Sequence, residues 1–163
     1  MKDNQILPEC ESDSPPLQSQ SNPLDRILVV EDEPAIRQLN AMMLTRSGYE
    51  VGAAEDGAAA WDALNEDSYD LLITDNVMPR LTGFKLLEKL YAARMTLPVI
   101  MATSAVPTAL FTRGPWLKPD ATLLKPYTSA ELLRTVKKVL READNPAYTV
   151  ARPGEFPALH SRG

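Results

Sequence analysis

Five short apolar runs, separated by stretches of helical period, constrain this chain more than any other feature. They are Ile27-Leu28-Val29-Val30, Tyr49 to Ala54, Leu71-Leu72-Ile73-Thr74, Val99-Ile100-Met101-Ala102 and Ala121-Thr122-Leu123-Leu124. Such lengths suit strands, and a run without polar alternation suits a strand buried on both faces. The second run carries Glu50 and Gly52 and reads as a sheet edge. Between the runs, Pro34 suits the first turn of a helix with Ile36, Leu39 and Met43 on one face, and Gly48 stops it. Asp56 can cap a helix that carries Trp61 and Leu64 inward. Phe84, Leu87 and Tyr91 repeat at i, i+3 and i+7 after Gly83. Thr128-Ser129-Ala130-Glu131 has the spacing of a capping box, ahead of Val136, Val139 and Leu140. Strands alternating with helices imply right-handed crossovers and a parallel sheet covered on both faces, so the expected class is α/β, doubly wound.

The two ends read differently. Residues 1–24 are rich in Ser, Gln, Asn, Asp and Pro, with too little apolar surface to offset the entropy of ordering, and are expected to be a disordered leader. Residues 142–163 are interrupted by Asn145-Pro146 and Arg152-Pro153-Gly154 and are expected to be a flexible tail, which leaves 25–141 as one domain. Pro107, Gly114-Pro115 and Pro119 make Val106 to Pro119 the least regular part of that domain, expected to be a mobile output element rather than a full helix. The single cysteine, Cys10, excludes an intrachain disulfide. A net charge of −5 argues against a direct nucleic-acid partner, which needs a clustered positive surface. No run approaches the roughly 20 apolar residues of a membrane span, and no signal-peptide core is present, so a cytoplasmic protein is expected. His160 lies in the tail and reads as a solvated histidine.

In open parallel sheets, ligands bind beyond the carboxyl ends of the strands. The residues just past the first, third, fourth and fifth runs are Glu31-Asp32, Asp75, Thr103 and Lys125. Taken singly, Asp75 would be a turn-former, Glu31-Asp32 a helix cap, Thr103 a structural hydroxyl and Lys125 a solvated lysine. The shared rim changes their meaning. Three carboxylates brought together repel unless a cation intervenes, and oxygen donors with open positions suit Mg²⁺ and a phosphoryl oxygen.

These residues resemble the receiver domain of two-component response regulators. The acidic pair lies in Val30-Glu31-Asp32-Glu33-Pro34, the acceptor in Thr74-Asp75-Asn76-Val77-Met78-Pro79 with Gly83 following, and Thr103-Ser104-Ala105 and Lys125-Pro126-Tyr127 complete the set. The resemblance covers roughly residues 25–141. It implies a flavodoxin-like (βα)5 fold with strand order 2-1-3-4-5. It further implies that Asp75 is the phosphoacceptor, assisted by Thr103 and Lys125, with Mg²⁺ held by Glu31 or its water, Asp32, Asp75 and the backbone carbonyl of Val77. A histidine kinase or phosphotransfer protein would be the donor. The response would pass to a protein target through the 106–140 face, from a monomer or an activation-dependent homodimer. Too few residues follow the last helix for a DNA-binding output, so binding to another protein by the receiver itself, or by its tails, is expected to carry the signal.

Three features bear on the match to the family pattern, and one is that the first acidic position is Glu31 rather than Asp. A second Lys-Pro pair, Lys118-Pro119, competes with Lys125-Pro126, but only the latter follows directly on an apolar run. The aromatic residue often found three positions before the lysine is Thr122 here. The competing readings are an aspartate-dependent Mg²⁺ phosphatase, a flavodoxin-like cofactor binder and a phosphorylation-independent docking module. The phosphatase pattern requires a second Asp two positions after the first, where this chain has Val77. A cofactor binder would need a phosphate loop after the first strand, where Glu31-Asp32-Glu33 would repel phosphate. The retained acceptor, acids, Thr and Lys count against a docking module.

Overall fold

The computed structural model describes residues 24–105 and 117–147. Residues 1–23 of the expected leader, most of the expected output element and most of the expected tail lie outside these residues. Strand β1 (Arg26–Val30) leads to helix α1 (Pro34–Arg46), β2 (Glu50–Ala54) to α2 (Gly57–Glu66), and β3 (Leu71–Asp75) to α3 (Gly83–Ala92). Strands β4 (Val99–Thr103) and β5 (Ala121–Leu124) follow, and α4 (Ser129–Ala143) closes the described fold. The sheet order is β2-β1-β3-β4-β5, with every neighbouring pair parallel.

Alternation along the strands divides the interior into two cores, because successive side chains point to opposite faces. Leu28, Val30, Leu72, Val99 and Met101 face α2 and α3, where they meet Leu64, Leu86, Leu87 and Leu90. Ile27, Val29, Leu71, Ile73 and Ile100 face the other way, toward Leu44 of α1 and Leu132, Val136 and Val139 of α4. Each such side chain, fully buried, contributes about 1.5–3 kcal/mol. The sheet is therefore clamped from both sides, which fixes the strand ends relative to one another.

The helix ends follow the sequence signals. Thr128 caps α4 in a reciprocal box with Glu131, and Asp56 caps α2 by accepting from the Ala59 N–H at 2.8 Å. Trp61 is half-buried on the first core, with Lys89 Nζ 4.8 Å from its ring centroid. One helix face departs from expectation. In α1 the inward residues are Asn40 (3% exposed) and Leu44, whereas Leu39 is 49% exposed. Hydropathy favours Leu over Asn at a buried position, but Asn40 has a hydrogen-bond partner inside and Leu39 lies one residue, about 100°, around the helix.

Candidate functional site

Glu31 follows β1, and Asp75 ends β3, the neighbouring strand. Parallel pairing of Val30 with Thr74 brings these two strand ends level. Glu31 and Asp75 are buried, Asp32 is exposed, and one carboxylate oxygen from each of the three lies within 4.8 Å of the other two. From the far side of the sheet, Lys125 reaches in just past β5. Its Nζ donates to Glu31 Oε2 at 2.8 Å and to Asp75 Oδ2 at 2.9 Å. Lys118, by contrast, is exposed and precedes β5, at the other end of that strand.

The electrostatics follow from this geometry. Burial pushes the Glu31 carboxyl above its usual range, Lys125 draws it partly back, and the Asp75 charge adds to the rise. For Lys125, burial works against the ammonium, but its hydrogen bonds to Glu31 and Asp75 and their charges outweigh that and raise its pKa. The lysine is thus held as a cation against two acids.

The remaining predicted residues lie on the same rim. Val77 is exposed, and its N–H donates to Asp75 Oδ1 at 3.2 Å. Thr103, 2% exposed at the end of β4, turns its hydroxyl into its own loop and donates to the Ala105 carbonyl at 3.0 Å. Gly83 opens α3 directly against Asp75, where an added Cβ would collide with the Asp75 carbonyl.

Two arginines that the sequence did not single out hold the loops of this rim. Arg37 Nη1 donates to the Glu31 carbonyl at 2.7 Å, bracing the acidic turn from the first turns of α1. Arg80, in the β3–α3 loop, pairs with the buried Asp56 carboxylate and lies 3.5 Å from Glu55, which ties that loop to the start of α2. Arg80 does so at φ 67°, a left-handed backbone that a non-glycine residue adopts at a cost of about 1–2 kcal/mol. No spacing rule marks such residues, because a long side chain on a loop finds its partner only once the fold has formed.

Comparison with known proteins agrees with this fold. The family model of the response regulator receiver domain matches residues 27–137, and the chain belongs to that family. The transcriptional regulatory protein ResD of Bacillus subtilis is 34% identical over 123 residues, which cover 76% of this chain and 51% of ResD. This chain therefore spans about half the length of that relative. The chemotaxis protein CheY4 of Vibrio cholerae superposes with a TM-score of 0.66 at 29% identity, covering 71% of this chain and 98% of CheY4. The response regulator TrrA of Thermotoga maritima, solved in complex with Mg²⁺-BeF, gives a TM-score of 0.62 at 31% identity, covering 71% of this chain and 99% of TrrA. The fold is accordingly the flavodoxin-like receiver fold of two-component signalling, a family that works with histidine kinases and downstream effectors. No helix among the described residues is long and apolar enough to cross a membrane.

Proposed function

We propose that this protein is a phosphoacceptor switch in which Asp75 takes a phosphoryl group from a histidine kinase or phosphotransfer protein and signals to a protein partner. The observation that carries the reading is the convergence of Glu31, Asp32 and Asp75 within 4.8 Å, with Lys125 bonded to the acceptor carboxylate. Oxygen donors of this kind fit a hard divalent cation, and Glu31, Asp32, Asp75 and the Val77 carbonyl would hold Mg²⁺. When bound, that ion would supply charge neutralisation at the phosphoryl oxygens.

The chain's own groups do the rest. An Asp75 carboxylate oxygen forms a bond to phosphorus as the donor's P–N bond breaks, and the departing imidazole keeps the electron pair. Lys125 exchanges part of its contact with Asp75 for a phosphoryl oxygen, acting as a point charge. Thr103 gives up its bond to the Ala105 carbonyl to donate to another phosphoryl oxygen, and this moves the Ser104-Ala105 loop. The protein catalyses only its own phosphorylation and dephosphorylation. Residues 25–141 form the switch in this reading, which also places the protein in the cytoplasm.

The test is intact mass after incubation with acetyl phosphate and Mg²⁺. One phosphoryl group should be gained by the wild type, and none by Asp75→Asn or after chelation. Equal incorporation in Asp75→Asn would overturn the assignment.

A further inference from the structure

Asn40 is a buried polar residue on α1, 3% exposed, on the face that also carries Leu44. Buried amides are normally bonded, and an unbonded one costs about 1–3 kcal/mol. Its Nδ2 donates to the Tyr127 hydroxyl at 2.9 Å, across 87 residues of sequence. Tyr127 stands two residues beyond Lys125 and immediately before Thr128, the cap of α4. It is half-buried against the second core.

The backbone of Lys125 is fixed on one side only by the sheet. Its N–H donates to the Thr103 carbonyl at 2.9 Å, which extends the β4–β5 ladder by one step, and the chain then leaves the sheet through Pro126. Beside this exit lies an open pocket of about 370 Å³, to which Lys125 itself contributes, lined also by Ile36, Leu39, Met43, Asn40 and Tyr127. Tyr127 therefore packs on the second core and borders this open pocket as well. A ring open to solvent on one side is less restrained than one packed all round. The bond from Asn40 supplies a directional restraint that the open side withholds.

We propose that Asn40 and Tyr127 are positioning residues for Lys125, anchoring the loop that aims its ammonium at Asp75. Neither touches the reacting atoms, and both act through the lysine. The proposal rests on the reading of Asp75 as phosphoacceptor for its kinetic consequence, but not for its structural one.

The two consequences are measured separately on the full chain. Nitrogen-15 NMR of the lysine side chains reads how fast the Lys125 ammonium protons exchange with water, since protons held by Glu31 and Asp75 exchange slowly. In Asn40→Leu and in Tyr127→Phe, that exchange should accelerate by about threefold to tenfold, the scale of one ordinary hydrogen bond. The maximal rate of phosphorylation by acetyl phosphate should fall by a similar factor at unchanged KM. The double variant should be no worse than either single one, because both remove the same bond. Urea unfolding serves as the control. Lys125 exchange unchanged from wild type in both single variants would overturn the proposal, as would additive losses in the double variant. If the wild type takes no phosphoryl group, the functional reading fails, and the ammonium exchange still decides the positioning role.

Discussion

The Lys125 ammonium is shared between Asp75 and Glu31, with Nζ 2.8 Å from Glu31 Oε2. One cation thus serves the ends of β1 and β3 together, from its place just past β5. Truncating one member of a largely buried charge cluster leaves its partners uncompensated, and here some solvent access softens the effect. Lys125→Met should lose about 1–3 kcal/mol in urea unfolding without divalent ions. Added Mg²⁺ should narrow the gap to wild type, since a second cation relieves the same carboxylates. A gap that ignores Mg²⁺ would show that Glu31 and Asp75 do not depend on the lysine for compensation.

Arg80 combines a left-handed backbone with an ion pair to Asp56, and two substitutions separate these effects. Alanine keeps the strain and loses the pair. Glycine loses the pair and relieves the strain. Arg80→Gly should therefore unfold at higher denaturant than Arg80→Ala, by about 1 kcal/mol, with wild type no less stable than the alanine variant.

The Asp56 carboxyl is held below its ordinary value of 3.8, first by the Ala59 N–H, against the opposing effect of burial, and further by Arg80. A pKa lower in the folded state than in the unfolded one adds stability above the unfolded value, and that stability is lost as pH falls through the folded value. Asp56→Asn, which can still cap, should be less stable than wild type by a constant margin near neutrality. The margin should close as the pH is taken below about 3.8. Thermal unfolding of both proteins across that range is the measurement, and a margin that grows on acidification would contradict the account.

Gly83 lies against the Asp75 carbonyl, with Thr74 Oγ1 3.1 Å from the place a Cβ would occupy. Backbone cannot yield there as a flexible side chain could. Gly83→Ala should cost about 1–3 kcal/mol and, under the proposed function, slow phosphorylation, because α3 must back away from Asp75. A stable variant that phosphorylates normally would show that the α3 start adjusts without disturbing Asp75.

Much of this architecture is legible in the order of the residues. Ile27 to Val30 and Val99 to Ala102 have no polar interruption, and both are interior strands of the sheet, because continuous apolar runs have few other places to go. The rim is legible for the same reason. Glu31, Asp75, Thr103 and Lys125 come at or immediately after the ends of such runs, and the topology puts those positions together. Side-chain pairing over distance is what the sequence hides. Hydropathy selects Leu39 over Asn40 because the partner of Asn40, Tyr127, belongs to a different part of the chain. Arg37 and Arg80 look like ordinary solvated arginines until the loops are in place. Hydropathy describes one residue at a time, whereas these roles belong to pairs.

The lysine lies 94 residues after its first acidic partner, and that separation governs when the site can exist. A chain emerging from the ribosome presents Glu31, Asp32 and Asp75 long before Lys125. Parallel sheets join strands that are distant in sequence, so β5 can dock only after most of the domain is made. A half-synthesised copy, or one cleaved between β4 and β5, would bear Asp75 and its neighbouring acids without the counter-charge that steadies them. Under the proposed function such a fragment would be a poor decoy for a phosphodonor, and competence would arrive only once β5 is in place.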